Sequence, residues 1–185
     1  MKPIFQIYSV ILELKRKLRL FIFNRLKGNY QIDYTVKLGK NTRIENSMGG
    51  FVKIGYNTEL MDGVLLLTYG GNITIGNQCS INPYSIIYGH GNTYIGNQVL
   101  IAGHCMIIPA NHIFNSKSTP IIKQGLTKKG IHIEDNVWIG HGCSILDGVK
   151  IGEGSVIAAG SVVTSSIPKN SLVAGVPAQV IRVIS

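Results

Sequence analysis

The chain has 185 residues, 45% of them hydrophobic, with a mean hydropathy of +0.22 and a formal net charge of +9. That length is one domain by the usual prior, and the apolar content is enough for a buried core. The charge invites a nucleic-acid reading, but seven cations (Lys2, Lys15, Arg16, Lys17, Arg19, Arg25 and Lys27) crowd into residues 1–29 against Glu13 alone, while the remainder carries eleven cations and eight anions. A basic stripe along the body of the protein is therefore not indicated, and no nucleic-acid partner is expected.

Residues 1–29 read as a basic amphipathic helix, because Ile4, Ile7, Ile11, Leu14, Leu18 and Phe21 follow three-and-four spacing through a stretch free of glycine. The longest uncharged span within these 29 residues, Pro3 to Leu12, has ten residues, whereas a spanning helix needs about twenty. No small-residue cleavage pattern follows, which argues against a secretory signal. Two placements stay open and can coexist: packing on the end of the next unit, or a peripheral contact with an anionic membrane surface.

Residues 30–185 carry a six-residue beat. It starts weakly at Leu38 and Ile44, then at Ile54, Leu60 and Leu66. It is strict through Ile75, Ile81, Ile87, through Ile95, Ile101, Ile107, and from Ile133 through Ile139, Ile145, Ile151 and Ile157 to Val163. Four residues after the aliphatic comes a small or β-branched side chain: Thr42, Thr58, Cys79, Ser85, Val99, Cys105, Val137, Cys143, Val149, Ser155 and Ser161. A fixed short period is the signature of a solenoid. Two inward positions per six residues fit a short strand and a turn, with the glycine after several aliphatics suited to the backbone angles of a tight corner. The three cysteines fall in the small slot and read as core filling, with no disulfide framework or metal-ligand pair, which fits a reducing cytoplasm. β-branched residues on the outer faces favour oligomerisation.

The beat breaks four times: Glu45 to Lys53, Leu67 to Thr74, Tyr88 to Tyr94, and a long loop at about residues 113–132. Insertions in a repeat emerge as loops on a fixed framework, so function is expected there. His112 stands at the threshold of the longest, and an imidazole suits removal of a hydroxyl proton at neutral pH.

The repeat, with Val137-Trp138-Ile139-Gly140, Ala159-Gly160-Ser161-Val162-Val163-Thr164 and Ala174-Gly175-Val176-Pro177-Ala178, resembles the hexapeptide-repeat acyltransferases over roughly residues 36–182. It is most similar to the sugar O-acetyltransferase branch, which includes the galactoside and maltose acetyltransferases. The resemblance implies an all-β solenoid, a left-handed parallel β-helix, here with an N-terminal helix and a short C-terminal tail. It also implies a homotrimer and acetyl-CoA as co-substrate, with no metal required. A left-handed turn and a trimer are implied by the family, not by the period.

The resemblance makes His112 the general base and Asn82, thirty residues earlier, its partner at the acceptor and the tetrahedral centre. On the repeat lattice the two fall on different parts of successive coils, so the active site is expected to be shared between subunits. His90 lies where these relatives carry an acidic acceptor contact, a departure that makes it a candidate substrate-binding residue. His104, His132 and His141 read as surface residues. The pantetheine arm would follow Gly140, Ala159 and Gly160, with Trp138 beside the active site, Thr164 further along and Arg182 near the nucleotide end. Ser165 and Gln179 stand where cations are common, and Lys169 is the candidate to compensate. The expected activity is acetyl transfer to a sugar hydroxyl in surface polysaccharide biosynthesis, on a building block or a lipid-linked intermediate. The expected location is cytoplasmic, with a peripheral place at the inner face of the membrane as the alternative that the N-terminal helix leaves open. The alternatives are N-acetylation of an amino sugar and a non-catalytic scaffold. A zinc hydratase like the γ-class carbonic anhydrases is disfavoured, because the nearest histidine pair, His104 and His112, is eight apart.

Overall fold

The computed structural model describes residues 2–26, 29–46 and 48–185, and for residues 2–10, Leu12 and Leu26 only the backbone. The expectations resting on Lys27 and on the side chains of Lys2, Ile4 and Ile7 thus lie outside the described residues.

From Tyr30 onward the chain winds into a parallel β-solenoid with three faces. The first face stacks Tyr30–Ile32, Val52–Ile54, Ile73–Ile75, Thr93–Ile95, Ile131–Ile133 and Lys150–Ile151. The second stacks Lys37–Leu38, Glu59–Leu60, Ser80–Ile81, Leu100–Ile101, Trp138–Ile139, Val156–Ile157 and Ser171–Gly175. The third stacks Arg43–Glu45, Leu65–Leu67, Ile86–Tyr88, Met106–Ile107, Ser144–Ile145 and Val162–Val163. This is the architecture expected of the hexapeptide repeat. The beat maps onto it directly: Ile75, Ile81 and Ile87 lie in three consecutive strands and are buried, as are their equivalents in the later coils. Each such side chain contributes about 1.5–3 kcal/mol of burial. Leu38, in the weak first coil, is only partly buried.

The small slot is buried throughout, and its polar members bond to the next coil: Thr58 Oγ1 donates to the Gly76 carbonyl (2.8 Å) and Ser85 Oγ to that of Ala102 (2.9 Å). The cysteines follow the same rule, with Cys79 Sγ against the Gly96 carbonyl and Cys105 Sγ against that of Gly140, both at 3.1 Å. All three thiols are free and buried, and burial pushes the Cys79 thiol up.

One sequence expectation needs correction. The glycine directly after an aliphatic does not supply the left-handed corner conformation. That falls two residues later, on Asn57, Gln78, Gln98 and Asn136 at the corner between first and second faces. Gly55, Gly76 and Gly140 are glycine because the next coil is too close: a Cβ on Gly140 would lie 2.6 Å from the Ala159 nitrogen.

The helix Lys2–Leu26 packs across the first coil. Leu20 is fully buried, Phe23 meets the Tyr30 ring (centroids 5.1 Å apart), and Asn24 bonds both the nitrogen and the carbonyl of Ile32 (2.9 and 2.7 Å). Arg16 donates to the carbonyls of Tyr34 (3.1 Å) and Val36, and Arg19 to that of Thr42. These groups satisfy backbone acceptors that have no preceding coil to pair with. The stripe recognised in the sequence is not the packed side: Ile11, Leu14, Leu18 and Phe21 are all exposed. At the other end, the expected C-terminal tail turns back as an antiparallel strand, Ala178–Val183, against Ser171–Gly175.

Candidate functional site

All four breaks in the beat lie between a third-face strand and the next first-face strand, so they pile up at one corner, the third. Backbones touch there. A Cβ on Gly71 would sit 2.2 Å from the Gly89 carbonyl oxygen, and one on Gly91 would be 2.5 Å from that of Pro109. On this stack the longest insertion rises as a β-hairpin, in which Asn111–His112 pairs antiparallel with Leu126–Thr127. Beyond the pair, Gln124 braces the tip by accepting from the Ser116 nitrogen (3.0 Å) and donating to the Ser116 and Thr119 carbonyls (2.9 and 2.7 Å). Asp147, one coil on, holds the root: its carboxylate accepts from the nitrogens of Lys129 (2.8 Å) and Gly130 (2.9 Å) and from Thr127 Oγ1 (2.9 Å).

His112 therefore stands in an anchored strand. Its side chain is exposed, opposite Leu126, with no hydrogen-bond partner among the described residues.

His90 sits lower on the same corner. Its ring stacks on Tyr69 (4.8 Å, 27°) and meets Tyr88 edge-on (5.5 Å, 85°), and its Nδ1 is buried without a hydrogen bond. Burial, aided by the charge of Lys128, holds its pKa below the usual histidine value, so the ring is neutral at pH 7. Tyr69 and Tyr88 were not singled out in the sequence, although both lie at breaks in the beat.

Asn82 is at the second corner, away from His112. Its Nδ2 donates to the Ile101 carbonyl (2.8 Å), leaving one amide hydrogen and Oδ1 without protein partners among the described residues. Tyr84, His104 and His141 line that corner, His104 stacked on Tyr84 (5.3 Å) and edge-on to His141 (5.4 Å). His104 and His112 thus belong to different corners, and no group of three metal-ligating side chains occurs among the described residues. His132, on the first face, stacks on Tyr94 (4.4 Å, 15°) in a groove of about 480 Å³ that Lys129 and Lys150 also line.

The residues assigned to the cofactor do not gather in one place. Trp138 projects from the second face, 53% exposed, between Leu100 and Val156. Gly140, Ala159 and Gly160 adjoin it at the second corner, whereas Thr164 is at the third and Lys169 at the first. Lys169 is engaged by Glu153 (3.1 Å) and Glu134 (3.5 Å), whose carboxylates raise its pKa. Arg182 is exposed on the returning C-terminal strand, across from Leu172.

The faces differ in character. The outward row of the first face is Gln31, Lys53, Thr74, Tyr94, His132 and Lys150. The outward row of the second face runs Lys37, Glu59, Ser80 and then turns apolar with Leu100, Trp138, Val156 and Leu172, and that of the third is Arg43, Leu65, Ile86, Met106, Ser144 and Val162.

Residues 130–165 match the family model described as bacterial transferase hexapeptide (six repeats). The chain is 33% identical to WbbJ of Escherichia coli (strain K12), a protein provisionally named as a lipopolysaccharide biosynthesis O-acetyl transferase, over 72% of each chain. It is 38% identical to the galactoside O-acetyltransferase of the same organism over 73% of this chain and 65% of that one. The chain spans about half the length of the first curated relatives it matches: 55%, 59% and 49% of three acetyltransferase-named proteins. Among solved structures, AntD, an N-acyltransferase from Bacillus cereus in complex with dTDP and 3-hydroxybutyryl-CoA, superposes with a TM-score of 0.68 over 92% of this chain and 88% of that one. At 21% identity, that similarity is one of fold.

Proposed function

The chain belongs to the hexapeptide-repeat transferases, in the branch of the sugar O-acetyltransferases, and on that premise we propose that it moves the acetyl group of acetyl-CoA onto a sugar hydroxyl in surface polysaccharide biosynthesis. The observation that carries this reading is His112: an exposed imidazole held on a hairpin whose root is tied to the next coil. A base must be fixed in place yet free to accept a proton, and this arrangement supplies both.

In the proposed reaction His112 takes the acceptor hydroxyl's proton as its oxygen bonds to the thioester carbonyl carbon. The tetrahedral centre collapses with cleavage of the carbon–sulfur bond, and the sulfur leaves as the thiol, taking the proton back from the imidazolium. Asn82 retains one amide hydrogen to offer a developing oxyanion and Oδ1 to accept from a hydroxyl. Because Asn82 and His112 occupy different corners, the working unit is a homotrimer that completes each site with a neighbour's corner. Support comes from apolar stretches within the outward rows of the second face (Leu100 to Leu172) and the third (Leu65 to Met106), beside a more polar first face. Acetyl-CoA then lies between subunits, with Trp138, Gly140, Ala159 and Gly160 from one side, Thr164 from the other and Arg182 toward the phosphates. Lys169, already held by two carboxylates, contributes less than Arg182. His90 and Tyr69 form the acceptor side, since an aromatic face beside a neutral imidazole suits a sugar ring.

The test is purified protein with acetyl-CoA and a panel of sugar nucleotides, amino-sugar nucleotides and glycans, read by thiol release and product mass. An O-acetylated sugar is expected, with a loss of about 100-fold or more in His112→Ala and an unchanged melting curve. Full activity in that variant would remove His112 as the base, and acetylated amine would redirect the reading to N-acetylation.

A further inference from the structure

The side of the N-terminal helix that faces away from the solenoid carries a stripe with no partner among the described residues. Ile11, Leu14, Leu18, Phe21 and Ile22 are 44%, 61%, 59%, 48% and 40% exposed. At 3.6 residues per turn they share about 100° of the helix circumference and run for roughly 16 Å along its axis. The helix is attached through its other side, by Leu20, Phe23, Arg16, Arg19 and Asn24, so the stripe is not needed for docking to the first coil.

The charges around the stripe indicate what covers it. Lys15 borders one edge, Lys17 the other, and Arg25 continues it at the C-terminal end; all three are exposed. The only carboxylate of the helix, Glu13, turns to the opposite side, where it pairs with Arg16 and lies 3.8 Å from Lys17. A second copy of the same face would bring cations against cations. An acidic, apolar-accepting surface satisfies both features, and no helix among the described residues is long and apolar enough to cross a membrane.

We propose that this stripe seats the protein on an anionic membrane surface, with the helix lying in the interface plane and the N-terminal end of the solenoid toward the lipid. Ile11, Leu14, Leu18, Phe21 and Ile22 enter the acyl boundary, and Lys15, Lys17 and Arg25 meet the phosphate headgroups. The hairpin bearing His112 leaves the fourth coil, about 14 Å above the first at the usual strand spacing, and so stays clear of the headgroups. The inference is independent of the reaction assigned above.

The full-length protein is pelleted with vesicles of phosphatidylcholine alone and of phosphatidylcholine mixed equally with phosphatidylglycerol. Binding to the anionic vesicles is expected to be at least about tenfold stronger and to weaken with salt. Leu14→Glu with Leu18→Glu should reduce it about tenfold or more, and Lys15→Gln with Lys17→Gln by roughly 25-fold, at about fivefold per basic residue. Both variants should keep the wild-type circular dichroism, because the altered side chains are exposed. Transfer to a soluble acceptor, if present, should not change, so failure of lipid binding and failure of the enzymatic reading are told apart. The proposal is overturned by equal binding to both vesicle types, by no pelleting, or by a Leu14/Leu18 variant that still binds. It is also overturned if that variant instead dissociates a larger assembly in lipid-free buffer, which would make the stripe a contact between copies.

Discussion

Asp147 ties down the returning arm of a hairpin to which it does not belong. Its carboxylate takes two backbone N–H groups and a hydroxyl from the returning arm of the hairpin, and Thr127 in that arm pairs with Asn111, next to His112. Hydrogen bonds to an ionised group are worth about 1.5–3 kcal/mol each, but this site is partly exposed, so Asp147→Ala should cost about 1–3 kcal/mol in denaturant unfolding. As a positioning residue it should act on turnover: kcat falls about tenfold while the KM for acetyl-CoA stays within about twofold, and Asp147→Asn recovers part of the loss. Equal losses in both variants with a proportional rise in KM would assign Asp147 a purely structural part. The importance of Asp147 was not legible in the sequence, where it is one acid between two hexapeptides. The place of His112 at the start of the insertion was legible, because a strict period stops there.

At the scale of the element, the period located nearly every strand and its inward residues, since a two-residue strand with one large and one small inward position repeats without regard to distant parts of the chain. It also located the breaks. That the four breaks share one corner follows only from winding the chain, and it makes the corner glycines there sensitive. Gly71→Ala places a methyl group 2.2 Å from the Gly89 carbonyl oxygen and 2.6 Å from that of His90. We expect about 2–3 kcal/mol of destabilisation by urea titration, near the upper end for overpacking. Gly49→Ala, where φ is +86° and, chain neighbours aside, no atom of the described residues lies within 4 Å, should cost about 1 kcal/mol of backbone strain. Equal costs would mean that the corners can spread apart.

For the whole molecule, one chain keeps the residues of the proposed site apart. His112 is at the third corner, Asn82 at the second, and the proposed cofactor residues are distributed over all three. In the proposed trimer, Leu100→Asp places a carboxylate between Trp138 and Ser80 on a face covered by the neighbouring subunit, where burial without a counter-charge is costly. Analytical ultracentrifugation should show a shift from trimer to monomer, with acetyl transfer lost and the strand signal in circular dichroism kept. An active, monomeric Leu100→Asp protein would contradict a site shared between subunits.

From the sequence alone came the solenoid, the buried rows, the free core thiols and the residue at the threshold of the longest insertion, because all of these depend on spacing over six to eighteen residues. The tertiary structure determined which side of the N-terminal helix is packed, that the glycine after each aliphatic answers to a neighbouring backbone, that Lys169 is already paired, and that His90 is stacked and neutral. Each of those depends on atoms brought together by winding, from residues that the chain holds a full coil or more apart, and no local period encodes which of them will touch.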